Sequence, residues 1–163
     1  MDTLMPEGAV VARLRRLLLL ILGLGMAGTA ADLLLIEHYE DGWQAPPLVL
    51  IAVGLLVATW LAIRSARAGW IAVLLLRVTM VLFVCAGILG VLLHYNGNRE
   101  FQTELDPSVA GWPLFVKVMT AKAPPALAPG VMVQLGLLGL VYTYRHPALL
   151  AQRGPLAPTS SGA

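Results

Sequence analysis

The chain has 163 residues, of which 58% are hydrophobic and 12% are charged, and its formal net charge is +2. Because a soluble domain carries about 25% charged residues, this composition indicates a polytopic membrane protein. The small net charge, without a basic stripe that bears aromatic residues, excludes nucleic acid as an expected partner. The single cysteine, Cys85, excludes an internal disulfide.

Four apolar segments are long enough to cross a bilayer, which takes roughly 20 helical residues. They are residues 17–36, 45–63, 70–93 and 126–144. Each should be helical, because the hydrocarbon core offers no partner for an unpaired backbone amide. We therefore predict an all-α integral membrane protein, a bundle of four transmembrane helices, with an amphipathic helix in the loop between the third and the fourth.

The first segment has a second interpretation. Its basic start, apolar middle and small residues near Ala31 are also typical of a cleavable secretory signal peptide. The apolar character resumes at residues 33–36, which suits a spanning helix better. We expect residues 1–16 to form a cytoplasmic N-terminal segment whose first eight residues are loose.

The basic residues predict how the chain crosses the membrane, because arginine and lysine favour the cytoplasmic side of short loops. With the N-terminus inside, seven arginines lie on the cytoplasmic side, namely Arg13, Arg15, Arg16, Arg64, Arg67, Arg145 and Arg153. Arg99, Lys117 and Lys122 lie outside. We expect both termini in the cytoplasm of a bacterium, a cytoplasmic loop at residues 64–69, and a disordered cytoplasmic tail at residues 145–163.

Two dipeptides recur in the same order and predict a tandem repeat of one hairpin. The first hairpin is residues 17–63 and the second is residues 70–144, and each reads helix, His-Tyr, outer loop, Pro-Pro, helix. The matching pairs are His38-Tyr39 with His94-Tyr95, and Pro46-Pro47 with Pro124-Pro125. Both copies would start in the cytoplasm, as the parallel repeats of some transporters do.

Each of the two histidines is expected at the outer end of a face of small residues. These residues are Gly23, Ala27 and Ala31 in the first helix, and Gly87 and Gly90 in the third. Small residues let membrane helices approach closely, so packing of the first and third helices through these faces would bring His38 and His94 together. Asp41 would project nearby if the first helix continued.

Two imidazoles and a carboxylate could hold a transition metal ion. Two histidines on facing helices could instead ligate a haem iron, although tight packing of small residues leaves little space for the macrocycle. In the simplest interpretation there is no cofactor, and His38 and His94 are interfacial residues that bond to headgroups, water or loop backbone.

Two charged side chains, Asp32 and Arg77, and one glutamine, Gln134, fall inside the predicted spans. Arg77 is long enough to reach the cytoplasmic headgroups from the inner end of the third helix. Asp32 is too short to do so at the outer face, and we expect it to be buried against another helix or in a polar cavity. Gln134 is expected to bond to a neighbouring helix.

The loop over residues 95–125 is the largest predicted soluble part. Asp106, followed by Pro107, is typical of a helix start. One apolar face is formed by Trp112, Phe115, Val116 and Met119. This pattern predicts an amphipathic helix that shields the mouth of the bundle or docks a partner.

The sequence contains no nucleophile–base pair, phosphate-binding loop or zinc motif, so nothing in it supports catalysis. The leading interpretation is a small non-catalytic membrane protein, such as an accessory subunit, in contact with lipid and with other membrane subunits or copies of itself. One alternative is a redox or metal-binding membrane protein that uses His38 and His94. A third is a transporter subunit, acting as an oligomer, with Asp32, Gln134 and the histidines around a polar cavity.

Overall fold

The computed structural model describes residues 7–40, 42, 44–64 and 69–153. Across these ranges the chain is helical and contains no strand. The α-helices are α1 (Glu7–Leu35), α2 (Ala45–Arg64), α3 (Trp70–Leu105), α4 (Gly111–Met119), α5 (Leu127–Thr143) and α6 (Pro147–Leu150), followed by a 3-10 turn at Ala151–Arg153. The predicted all-α class is therefore confirmed.

Three of these helices, α1, α2 and α3, are long and apolar enough to cross a membrane. α5 is apolar but has 17 residues, a length of about 25 Å. That is slightly less than the roughly 30 Å hydrocarbon core. A fourth transmembrane span therefore stays a prediction.

α1 begins before the predicted span. Glu7 and Gly8, which we expected to be loose, are already helical. The reason is that residues 9–20 contain alanine, leucine and arginine, which are strong helix formers, and no proline or glycine. Residues 1–6 and 154–163, where loose termini were expected, lie outside the described residues. The prediction of disorder is wrong for residues 147–153, which form α6 and the 3-10 turn.

The four longest helices form a ring. α1 packs against α2 and α5, and α3 packs against the same two helices, so α1 and α3 occupy opposite corners. His38 and His94 lie together at one end, called the histidine end below. Arg15 and Arg77 both contact the last turn of α5 or the residues just after it at the other end, called the arginine end.

The core lies where the four helices meet. Fully buried apolar side chains come from three of them, including Leu22 and Met26 of α1, Ile51 and Leu61 of α2, and Leu76, Met80 and Phe83 of α3. α5 adds Met132 and Leu135. In a lipid environment such contacts stabilise the bundle through close packing rather than through exclusion of water.

The closest helix–helix contact joins α3 and α5. A Cβ atom at Gly87 would lie 2.7 Å from the carbonyl oxygen of Pro129, and one at Gly136 would lie 2.8 Å from that of Met80. Both distances are too short for a real side chain, so glycine at these positions lets the two backbones approach.

The predicted packing of α1 on α3 through their small residues is therefore wrong. Gly87 and Gly90 of α3 face α5 instead. Ala27 and Ala31 of α1 are exposed. Gly136 and Gly139 of α5 in turn lie against Met80 of α3, and α1 offers only one glycine, Gly25, in contact with α5.

α3 does not end at His94 as predicted but continues to Leu105, for 36 residues in all. The extension reaches about 17 Å beyond His94. No proline occurs there before Pro107, and the polar residues of the extension are compatible with a solvated helix. The two hairpins therefore differ at this point, and the tandem repeat stays a prediction.

α4 packs on this extension of α3. Leu114 and Val118 are buried, whereas Trp112 is 72% exposed and Phe115 and Val116 are also exposed. The predicted helix therefore exists, but most of its predicted apolar face is exposed, and a different face packs on α3. Asp106 does not cap α4: it accepts hydrogen bonds from the amide and hydroxyl of Ser108 in a turn.

Candidate functional site

The two histidines at the histidine end form a stacked pair. The ring centroids of His38 and His94 are 5.9 Å apart, and their planes differ by 22°. His38 is half-buried and His94 is exposed. The predicted approach of these two side chains is confirmed, although the route to it differs from the predicted one.

A turn after α1, rather than the packing of α1 on α3, brings His38 into place. Glu37 adopts a left-handed conformation with a φ of 54°. The His38 amide donates to the Leu33 carbonyl at 2.9 Å, and the Glu37 amide donates to the Leu34 carbonyl at 3.2 Å. These two bonds define a Schellman motif, which ends the helix and turns the chain. His38 therefore lies beyond α1, not on its face.

His94 reaches the pair from inside a continuous helix. It lies on α3 well before that helix ends at Leu105. One partner of the pair is thus held by a rigid helix and the other by a turn. The turn residue is the more adjustable of the two, because loops move more than the elements they connect.

The pair supplies two imidazoles but not a complete metal site. A ligating ring points a nitrogen lone pair, which lies in the ring plane, at the ion. Two nearly parallel rings need a rotation about χ2 to do this together, and that torsion is soft in histidine. No group of three or more His, Cys, Asp or Glu that could hold a metal occurs among the described residues. Asp41, the predicted third ligand, lies outside them.

The arginine end contains a second polar cluster, built on the last carbonyls of α5. The guanidinium of Arg77 donates to the hydroxyl of Thr143 at 3.3 Å and to its carbonyl at 2.9 Å. A helix leaves its last four carbonyls without partners, and a cation there also complements the helix dipole. Arg77 therefore has acceptors on α5, and the prediction that it reaches the headgroups stays a prediction.

Arg15 of α1 completes this cluster. Its guanidinium donates to the carbonyl of Arg145 at 3.2 Å and to that of Tyr144 at 3.5 Å. Arg145 has a φ of 44°, so the chain turns sharply there. Arginines from α1 and α3 thus both bind the end of α5.

His146 follows this turn and begins α6. Its Nδ1 accepts a hydrogen bond from the amide of Ala148 at 3.3 Å, and its ring lies 5.5 Å from that of Tyr142. Burial, followed by the nearby positive charge of Arg15, lowers the pKa of His146 below 6.5. His146 is therefore the N-cap of α6.

Asp32 and Gln134 do not line a cavity. Both side chains are exposed in the isolated chain, Asp32 on α1 and Gln134 on α5. Neither side chain is buried against another helix within the described part of the chain, because the contact faces of α1 and α5 lie on other sides of these helices. A contact with a helix of a second chain stays a prediction. The polar cavity expected for a transporter subunit is not formed by these residues.

The sequence signals for the arginine-end cluster were present but indirect. A histidine followed by proline, as at His146-Pro147, is compatible with a cap and the first residue of a helix. The partners of Arg15 and Arg77 are backbone carbonyls, which carry no sequence signature. Only the position of the end of α5 could reveal them.

Comparison with family models, curated proteins and solved structures gives no match for this chain. Its sites are therefore interpreted from their own geometry.

Proposed function

We propose that this chain is a non-catalytic subunit of a larger assembly in the cytoplasmic membrane of a bacterium. In this proposal α1, α2, α3 and α5 all cross the bilayer, with the arginine end in the cytoplasm. α4 and the extension of α3 lie outside.

The surfaces of the long helices support the membrane placement. Large apolar side chains face outward along them, including Leu24 of α1, Leu56 of α2 and Val78 of α3 at 66%, 73% and 51% exposure. A soluble monomer rarely exposes contiguous apolar patches of this extent. Lipid would cover them.

The observation that carries the subunit proposal is the exposed carboxylate of Asp32. It lies on α1 within an apolar stretch, about three residues before the helix ends at Leu35. A carboxylate at the centre of a bilayer costs about 2.5–3.5 kcal/mol on insertion scales, and less near the edge. Because no other helix among the described residues covers Asp32, a second protein surface is the expected partner.

The residues beside Asp32 fit a helix–helix contact. Ala27, Gly28 and Ala31 are exposed on the same side of α1. Nothing lies within 4 Å of the position where a Cβ of Gly28 would be. Small residues permit close approach of another membrane helix, and a polar side chain can hydrogen-bond across such a contact.

Cysteine cross-linking in the native membrane tests this proposal. In a Cys85→Ser background, Ala31→Cys should cross-link to a partner under mild oxidation or with a short thiol reagent. The matched control is Ala52→Cys, an exposed small residue on α2. An adduct of twice the chain's mass would identify a second copy, and any other mass a different subunit.

Asp32→Leu should reduce the Ala31→Cys adduct severalfold, because the added hydrogen bond across the contact is lost. Equal adduct yields at Ala31→Cys and Ala52→Cys, or none at either, would contradict the proposal.

A second candidate function is metal binding at the histidine end, supported by the 5.9 Å separation of the His38 and His94 rings. Metal analysis of the purified protein after incubation with Zn²⁺ or Cu²⁺ should then find one equivalent per chain. His94→Gln should abolish it, and His146→Asn should retain it. Binding that survives His94→Gln would rule this site out.

A further inference from the structure

A groove runs between α1 and α2 at the arginine end. Its volume is about 960 Å³. The described residues that line it extend on α1 from Ala12 to Leu24 and on α2 from Leu55 to Ala62, and the segment around His146 closes its end. This volume is at the upper limit of that of small-molecule sites, about 300–1,000 Å³.

The groove is apolar along most of its length and cationic at one end. Its walls towards the middle of the bundle are Leu19, Leu20, Gly23, Leu24, Leu55 and Ala58. Arg15 and Arg16 line the opposite end. From Arg15 to Leu24 the groove follows α1 for about 14 Å. That distance is roughly half of the hydrocarbon core, or one leaflet.

The cationic end has hydrogen-bond donors that are left available for a ligand. The guanidinium of Arg15 donates through one terminal nitrogen to the carbonyls of Tyr144 and Arg145. Arg16 is exposed. Because the Nδ1 of His146 accepts from an amide, the neutral ring carries its proton on Nε2, which can donate.

We propose that this groove binds one anionic phospholipid of the cytoplasmic leaflet. The phosphate lies against Arg15 and Arg16, and an acyl chain lies between α1 and α2. This lipid site rests on the proposed function only for the placement of the chain in the membrane, and not for the subunit contact at Asp32.

Two features favour a lipid over a soluble anion. The cationic end and the apolar walls follow one another along the helix axis, in the order of a headgroup and its acyl chain. The groove also lies between two helices that are each long and apolar enough to span a membrane, at the depth where acyl chains are found. Basic pockets between transmembrane helices on this side of a membrane favour anionic headgroups.

Native mass spectrometry of the full chain in detergent, after delipidation, tests the proposal directly. The probes are phosphatidylglycerol and phosphatidylcholine with identical acyl chains, and inorganic phosphate. The protein should retain one phosphatidylglycerol, and retain phosphatidylcholine at least fivefold more weakly, since each arginine near an anionic surface contributes roughly a fivefold factor. Inorganic phosphate at the same concentration should not displace the lipid.

Two pairs of variants separate the groove from the rest of α1. Gly23→Leu should fill the groove and lower phosphatidylglycerol retention at least tenfold, because an added Cβ meets nothing within 4 Å and the side chain enters free space. Gly8→Leu, at an equally open glycine of α1 outside the groove lining, should leave retention unchanged. Arg16→Gln should weaken retention about fivefold, and Arg13→Gln, which does not line the groove, should not.

Circular dichroism and thermal unfolding verify that each variant folds. The comparison of the two lipids uses the unmodified chain and does not depend on the variants. Equal retention of the two lipids would overturn the proposal. So would unchanged retention in Gly23→Leu. Displacement by inorganic phosphate would assign the cationic end to a free anion instead.

Discussion

Glu37 sets the position of His38 at a cost to its own backbone. Its φ of 54° falls in the left-handed region, where a side chain other than that of glycine is disfavoured by about 1–2 kcal/mol. The two hydrogen bonds of the Schellman motif offset this cost by using carbonyls at the end of α1. Glycine is the residue usually found at such a position.

Glu37→Gly should therefore stabilise the protein by about 0.5–1 kcal/mol, because relief of the backbone strain exceeds the extra entropy of a glycine in the unfolded chain. Thermal or denaturant unfolding in detergent measures the change. Glu40→Gly, in a bend without a positive φ, should give no gain. A gain of similar size in both variants would contradict the strain argument.

Arg77 acts through its two bonds to Thr143. Arg77→Met should lower the free energy of unfolding by about 1.5–3 kcal/mol, because two charge-assisted hydrogen bonds to the buried Thr143 are lost. Arg64→Met, at the exposed end of α2, should change it by less than about 0.5 kcal/mol. The same denaturant titrations measure both variants, and equal effects would show that Arg77 is only a surface charge.

At the scale of elements, the contact of α3 with α5 depends on glycine. Gly87→Ala should destabilise the bundle by about 1–3 kcal/mol, because the new Cβ overlaps the Pro129 carbonyl and the helices must separate. Gly97→Ala lies on the same helix with nothing within 4 Å, and should stabilise it by up to about 1 kcal/mol. Unfolding experiments should therefore give changes of opposite sign; the same sign in both would refute the close contact.

α6 should detach as the pH falls. Burial and Arg15 lower the pKa of His146 in the folded protein, so folding favours the neutral ring. The stabilisation is complete above the ordinary pKa of about 6.5 and is lost as the pH falls below it through the lowered value. Protonation also removes the acceptor for the Ala148 amide.

Amide hydrogen exchange measured between pH 5 and 7.5, corrected for the intrinsic rates, should show protection of Ala148 falling at the acidic end. His146→Asn keeps a capping acceptor that does not titrate, and its protection should not depend on pH. A pH-dependent loss of protection in His146→Asn would assign the effect to another group.

The whole molecule separates its charges along the bundle axis. Arg15 of α1 and Arg77 of α3 both bind the end of α5 at the arginine end, and Lys117 pairs with Asp106 at 3.4 Å beyond the histidine end. This asymmetry underlies the proposed orientation, because arginine and lysine favour the cytoplasmic side of short loops.

In a Cys85→Ser background, Glu104→Cys should react with a membrane-impermeant thiol reagent in intact cells. Gly69→Cys should react only after the membrane is permeabilised. Both positions are exposed, so a difference in reactivity reports the side of the membrane and not burial. The reverse pattern would invert the orientation.

Hydropathy predicted the helical class and most helix starts, because both depend on local composition. α2 begins at Ala45 and α3 at Trp70, as the apolar segments indicate. The extension of α3 was missed because polar helix formers after His94 resemble a loop on a hydropathy scale. The approach of His38 and His94 was predicted correctly but from a helix contact that does not exist.

The sequence by itself determined the helical class, the apolar segments and the separation of basic from acidic residues along the chain, since each follows from the residues within one segment. The tertiary structure decided that α3 packs on α5, that Asp32 faces outward and that Arg77 binds Thr143. These depend on how complementary surfaces from distant segments meet. The position of His38 was decided by the left-handed turn at Glu37, a conformation that glutamate rarely adopts and that its identity therefore does not predict.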